Sequence, residues 1–326
     1  MAAANWLLSS AGRRGHLVMI LRETCVEMGG GGVIAIDASP LSAAGLLADK
    51  FEVVPQADDP AFIDHVLDIC DRHSIQHVIP TVDPELLVYA AARARFEAHG
   101  CQAWVSSPDV VALGTDKWLL HNWLTAHDFS VPDTAEVRNP AVASLEGPVF
   151  AKPRSGSSSI GLTRGDSVSS LRLDALSDDF IVQCLAPGYE VTVDFAVDAS
   201  GRLRGMGARR RIEVRAGEVS KAVTIDHKRL RSEIERFAAQ LPGPFGVLNV
   251  QVFVDDESNS VYFIELNPRF GGGYPLSWQA GARFPALLAE TEQADFLRQD
   301  ARPGVVMLRF DQAVFEDAAY FGDALP

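Results

Sequence analysis

The sequence is poor in cysteine. Its four, Cys25, Cys70, Cys101 and Cys184, are dispersed and form no C-x-x-C pair. That spacing excludes a zinc-ribbon pattern and a disulfide framework, and it predicts a reduced, cytoplasmic setting. Positive charge is also scarce: 29 Lys and Arg stand against 43 Asp and Glu, a formal net charge of −14. A nucleic-acid binder needs a basic patch and an anionic membrane attracts basic segments, so neither partner is expected. An anionic small molecule needs only local positive charge and is not excluded. No run approaches the ~20 apolar residues needed to span a bilayer. The opening MAAANWLLSSAG lacks a basic n-region and reads as a first β-strand, not a signal peptide. Internal repeats and low-complexity segments are absent, as are a Walker A ending and a G-x-S-x-G nucleophile elbow.

What is present is 326 residues at 47% hydrophobic content, enough for two or three packed domains. Through about residue 112 the chain alternates short apolar runs with helical periodicity. Strands are expected at Trp6–Ser9, Val33–Asp37, Phe51–Val54, His77–Pro80 and Ala103–Ser106, with helices at Leu17–Met28, Ala61–Arg72 and Pro84–His99. The β-α-β order predicts an open α/β domain with a parallel sheet. Gly12 and Gly15 are spaced G-x-x-G, unlike the dinucleotide fingerprint. Arg13 and Arg14 in that loop either meet an anionic substrate or are solvated charges. Thr81, Asp83 and Glu85 form a second substrate-side candidate, with helix capping by Asp83 as the structural alternative.

The chain is organised around residues 249–273, NVQVFVDDESNSVYFIELNPRFGGG. Two β-rich runs flank a turn-forming stretch and read as a hairpin. Alternation puts Gln251 and Phe253 on one face and Val250, Val252 and Val254 on the other. On the return strand, strict alternation places Glu265 with Val261 and Phe263, an acid inside an apolar strand. A carboxylate there is costly unless it meets a cation. One carboxylate and two amides suit a hard cation such as Mg²⁺, or Mn²⁺. Gln251, Glu265 and Asn267 are therefore the candidate metal-nucleotide ligands, and Arg269 the candidate for holding a phosphoryl group.

Two further stretches add positive charge. Lys152 lies within the apolar strand VFAKP and must snorkel or find an anion. The loop that follows, RSGSSSIG, includes Ser157 and Ser158 and presents hydroxyls and backbone N–H groups that suit phosphate oxygens. Later, GMGARRRIEVRAGEVSK concentrates Arg209, Arg210, Arg211, Arg215 and Lys221 in an otherwise acidic chain. Alternation puts Arg209, Arg211, Glu213 and Arg215 on one face. Arg211 and Arg215 are candidates for stabilising a transferring phosphoryl group and a substrate carboxylate; a solvated edge strand would look similar.

The N-x-Q…E-x-N-P-R run closely resembles the metal-binding hairpin of the ATP-grasp superfamily, in particular its carbamoyl-phosphate-synthase-like branch. The T-D-K at 115–117, the A-K-P at 151–153, the serine-glycine loop and the G-x-E at 188–190 occur in family order. The resemblance implies a mixed α/β and α+β chain: a Rossmann-like N-terminal (pre-ATP-grasp) domain over residues 1–112, followed by a two-part ATP-grasp domain. Its first part would be residues 113–182 with a nucleotide lid, its second 183–290 with the metal site, and 291–326 a C-terminal extension. It implies phosphate contacts from Lys117 and Lys152, an adenine pocket along Gln183, Cys184 and Leu185, and a ribose acceptor at Glu190. Cys184 departs from the acidic residue common there. The implied activity is an ATP-dependent, ADP-forming carboxylate–amine ligase working through an acyl phosphate on small-molecule carboxylate and amine substrates, the acid an amino acid or similar small acid, with the homodimer common in related proteins as the implied assembly. The alternatives are carbamoyl-phosphate-type phosphorylation, disfavoured by the single ATP-grasp unit, and a nucleotide-binding regulatory protein without turnover.

Overall fold

The computed structural model describes residues 3–156, 161–215, 218–289 and 299–325. Three sheets follow one another along the chain. The first is built from β1 (Asn5–Leu8), β2 (Val33–Asp37), β3 (Lys50–Val53), β4 (Ile75–Ile79) and β5 (Gln102–Ala103) in the order β3-β2-β1-β4-β5. Every pairing is parallel, as the alternation of strand and helix requires. The crossover helices are α1 (Gly15–Glu27), α2 (Ala43–Leu47), α3 (Phe62–His73) and α4 (Asp83–Ala98). Alternation on β1 sends Trp6 and Leu8 to one core and Leu7 to the other, so both faces of the sheet are covered. Strand order reverses between β1 and β4. That reversal opens a crevice at the carboxyl ends of the strands, where ligands of such sheets sit.

Two expectations for this part need correction. The strand expected over Ala103–Ser106 ends at Ala103, because Ser106 leaves the sheet. Its Oγ donates to the Phe245 carbonyl at 3.2 Å and accepts from the Phe245 N–H at 3.1 Å. The helix α2 was not anticipated; Ser42 caps it by accepting from the Gly45 N–H at 3.1 Å.

Helices α5 (Pro108–Thr115) and α6 (Lys117–Ala126) lead into a four-stranded antiparallel sheet. Its strands are β6 (Thr134–Glu136), β7 (Val149–Pro153), β8 (Thr163–Gly165) and β9 (Phe180–Cys184), ordered β6-β9-β7-β8. The third sheet joins β10 (Tyr189–Val197), β11 (Leu203–Arg215), β12 (Glu218–Ile225), β13 (Gly246–Asp255), β14 (Ser260–Asn267) and β15 (Val306–Leu308), ordered β14-β13-β10-β11-β12-β15. Val250, Val252 and Val254 of β13 enter a core with Ile234 and Phe237 of α7 (Lys228–Gln240). The glycine run at 271–273 ends in α8 (Tyr274–Gln279), followed by α9 (Phe284–Ala289).

One apolar core ties the first sheet to the third. Trp6, Leu8 and Leu17 pack in the same cluster as Phe245, Phe270, Tyr274 and Trp278. The crevice of the parallel sheet is thereby held against the glycine run that follows the hairpin.

Candidate functional site

The hairpin forms, but its return strand does not alternate strictly. Gln251 faces Glu265 while Val252 faces Phe263, so Ile264 is an extra residue on β14. The bulge corrects the expected placement of Glu265. Val261, Phe263 and Leu266 are buried in the core, and Glu265 turns out to the opposite face, beside Gln251. The acid therefore lies on the wall of a small cavity of about 140 Å³, with Gln251, Asn249 and Asn267. The Asn267 amide donates to Glu265 Oε1 at 3.4 Å, and its Oδ1 accepts from Arg269 Nη2 at 3.1 Å. That oxygen keeps a second lone pair. Among the described residues no three His, Cys, Asp or Glu side chains gather to cage a metal. One carboxylate with amide oxygens fits an ion that takes its other ligands from phosphates and water.

The same cavity is walled by arginines. Arg209 is 3% exposed and ion-paired to Asp194, which is fully buried and also accepts from Ser277 Oγ at 2.6 Å. Arg211 pairs with Glu190, so the expected ribose acceptor and an expected catalytic cation hold each other. The Nε–H groups of Arg209 and Arg211 are buried without an acceptor. Orphaned buried donors are rare and costly. Both arginines line the cavity along with Glu265, a combination that suits a ligand carrying anionic oxygens and a cation together. Gly273 is required here, because a Cβ would come within 2.4 Å of Arg209 Nε. Arg269 binds Asp83 with both nitrogens, Nε–Oδ1 at 2.6 Å and Nη2–Oδ2 at 2.7 Å. Asp83 thus bridges to the hairpin and does not cap α4. Glu85 serves the helix start instead, accepting from the N–H groups of Thr81 at 2.5 Å and Val82 at 3.1 Å.

Arg215 is not brought into this cluster. It is three-quarters exposed, 75%, and pairs with Asp311 at 3.3 Å. The β11–β12 register shifts between Arg211 and Glu213 and again between Glu213 and Val214. Alternation counted from Arg209 fails beyond that point.

The four-stranded sheet supplies a further cation that feels the charge of Glu265. Lys152 is buried, and its ammonium donates to Gln183 Oε1 at 2.7 Å. Gln183 in turn donates to Thr134 Oγ1 at 2.9 Å. The expected adenine-pocket residue therefore also orients the lysine. Burial lowers the Lys152 pKa to about 8; Glu265 opposes the shift and Lys117 adds to it, so all three groups share one field. Lys117, in the first turn of α6, donates to the Gly156 carbonyl at 2.7 Å. The Cys184 and Leu185 N–H groups are used by Asp133 O at 2.8 Å and Pro148 O at 2.9 Å. Any adenine contact from these two residues therefore falls to their carbonyls or side chains. Ser157 and Ser158 lie outside the described residues.

The Lys152 shift has a measurable consequence. An anion bound beside it favours the charged amine, so the complex has a higher pKa than the free protein. By linkage, anion affinity is full below about pH 8 and falls as pH rises through that value. We expect ATP affinity measured by calorimetry to lose up to tenfold per pH unit above about 8. In Lys152→Met that slope should vanish and affinity be low throughout. An unchanged slope in the variant would reject the assignment.

A larger cavity of about 680 Å³ adjoins the first and shares Arg14, Gly271 and Gly272 with it. It fills the crevice of the parallel sheet, with Arg13, Arg14 and His16 on one side and Arg309 and Phe310 on the other. Asn249, Arg209, Asp194 and Arg309 were not singled out by sequence reasoning. Asn249 and Arg209 stand in the quoted motifs, so the first could have been found there and the second from the shared face with Arg211.

Two protein families match the chain. Residues 6–104 match the family described as PylC-like, N-terminal domain, and residues 114–273 the family described as ATP-grasp domain. A comparison with curated proteins gives no match. Among solved structures, the ADP complex of purK, N5-carboxyaminoimidazole ribonucleotide synthetase, superposes with a TM-score of 0.72 at 18% identity, over 93% of this chain and 80% of that one. N5-carboxyaminoimidazole synthetase from Staphylococcus aureus complexed with ADP gives 0.68 at 15%, over 94% and 80%. The biotin carboxylase domain of Hydrogenobacter thermophilus 2-oxoglutarate carboxylase, with MgADP and bicarbonate, gives 0.68 at 13%, over 91% and 72%. At these identities the likeness is one of fold.

Proposed function

The chain carries a PylC-like N-terminal domain over residues 6–104 and an ATP-grasp domain over residues 114–273, and from that premise we propose that it is an ADP-forming ligase that joins a small carboxylic acid to an amine. One observation carries the reading. A lone carboxylate, Glu265, lines a 140 Å³ cavity together with amide side chains and Arg209, Arg211 and Arg269, and a buried lysine feels the charge of the same carboxylate. ATP bound with Mg²⁺ would supply the phosphoryl group and the charge that neutralises it. Support comes from the structures of similar fold, which hold ADP and, in one case, MgADP with bicarbonate.

In this reading Glu265, Gln251 and Asn267 grip the cation, and Lys152 and Lys117 offset the charge of the nucleotide phosphates. Arg209, Arg211 and Arg269 steady the oxygens of the moving phosphoryl group. A substrate carboxylate oxygen attacks the γ-phosphorus as the bond to ADP breaks, giving an acyl phosphate. The amine then attacks the acyl carbon, and phosphate leaves. The protein's contribution is positioning and charge neutralisation, without a covalent enzyme intermediate. Arg215, paired in solvent with Asp311, takes no part.

ADP release with a panel of carboxylic and amino acids tests the proposal. We expect release above the ATP-only background with one acid–amine pair, with ADP, phosphate and product formed in equal amounts. ATP binding without release for any pair would favour a regulatory nucleotide binder.

A further inference from the structure

The tail after residue 299 lies beyond both matched family segments, the second of which ends at residue 273. It nevertheless forms a built wall of the 680 Å³ cavity. Val306–Leu308 extends the third sheet by pairing with β12, and the Arg309 N–H continues the ladder to the Ser220 carbonyl at 2.9 Å. Upstream, the Thr224 N–H donates to the Val305 carbonyl at 2.9 Å, and the Gly304 N–H to the Thr224 carbonyl at 2.8 Å. Arg309 then donates to the Gly272 carbonyl, which fixes its guanidinium where the two cavities meet.

The lining of this cavity includes more cations than acids. Its cations are Arg13, Arg14 and Arg309, with His16 beside them. Its two acids are otherwise engaged. Asp37 accepts from the N–H groups of Gly12 at 2.7 Å and Ser39 at 2.9 Å, and Asp311 pairs with Arg215 at 3.3 Å. Between the cations lies apolar surface from Ile20, Leu47 and Phe310. The reacting carboxyl belongs in the smaller cavity, beside the hairpin. The larger one then surrounds the rest of the acid with an aliphatic stretch ending in positive charge.

Resting on the ligase reading, we propose that the acid is at least doubly anionic: an aliphatic chain with a second carboxylate or phosphate at its far end. Arg309 of the tail, with Arg13 of the β1–α1 loop, holds that second anion. The tail is the specificity-determining wall, and Arg309 a binding residue for the substrate's remote end.

The test compares probes with a chain of five atoms, all carbon or four carbons and phosphorus, in the presence of Mg²⁺ and a non-hydrolysable ATP analogue. Pentanoate has one anionic end, glutarate two carboxylates, and 4-phosphonobutyrate a carboxylate and a phosphonate. Binding is read by calorimetry, and ADP release with ATP and hydroxylamine as the amine gives a second readout. We expect a dianion to bind at least about tenfold more tightly than pentanoate, the gain of a charge-assisted contact. The preferred dianion tells carboxylate from phosphate. Arg309→Gln should remove the advantage and leave pentanoate binding where it was, and Arg309→Lys should restore part of it. Arg13→Gln, in an exposed loop, provides a second variant whose folding is not at issue. Equal binding of all three probes would overturn the proposal. So would an Arg309→Gln variant that weakens pentanoate as much as the dianions, the mark of a merely structural arginine. A dianion preference without ADP release would instead overturn the ligase reading and leave this wall in place.

Discussion

Glu265→Gln is expected to lower ATP turnover by at least about a thousandfold, the scale of losing a central electrostatic group from an active site. Global stability should stay within about 0.5 kcal/mol of wild type. Glu265 is the one carboxylate on the wall of the small cavity, and its neighbours there, Gln251, Asn249 and Asn267, are amides. Removing it leaves neutral oxygens, which bind a hard divalent cation poorly without a formal charge. The substitution keeps the side chain's shape. Glu265 is only partly buried and stands outside the apolar core that takes Val261, Phe263 and Leu266. Its hydrogen bond from the Asn267 amide, at 3.4 Å, is long. Steady-state ADP release together with chemical denaturation separates the two effects. Turnover near wild type would remove the cation assignment. An equal loss of stability and activity would make Glu265 a structural acid.

How far that residue could be read from the chain alone is instructive. Its identity and its partners were legible, because an acid two residues before an asparagine, at the end of a β-rich run, is chemically conspicuous. Its face was not, because alternation counts residues and a bulge adds one. The insertion at Ile264 shows only in the pairing, where Val252 meets Phe263 and Gln251 meets Glu265. Arg215 fails for the same reason, past two register shifts on β11. The parallel order of the first sheet was readable from strand–helix rhythm, because right-handed crossovers leave few alternatives. Its seam with the third sheet was not, since Trp6 and Trp278 are equally apolar whichever surface they meet. The tail's strand among the described residues is three residues long, and what it encloses depends on pairing with β12, which local pattern does not encode.

Asp194→Ala is expected to cost about 3–5 kcal/mol of stability, the penalty for breaking a buried ion pair and stranding its partner. Asp194 is fully buried and Arg209 is 3% exposed, so the guanidinium left behind has neither water nor a second acid. Ser277 would lose its acceptor as well, a hydroxyl bond of 2.6 Å. The loss should appear as a lower denaturation midpoint with an unchanged slope. A cost below about 1 kcal/mol would show that the pair does not anchor β10 to β11. Replacing both partners, with Asp194→Leu and Arg209→Met, should recover most of the stability, since apolar groups of similar volume avoid the desolvation of two charges. Turnover should not recover with it. If the pair served folding alone, the apolar double variant would be active. If Asp194 instead holds the Arg209 side chain in place on the cavity's lining, the double variant folds and remains inactive. That split between restored stability and absent ADP release assigns Arg209 to the moving phosphoryl group, and its failure to appear would return the pair to the scaffold.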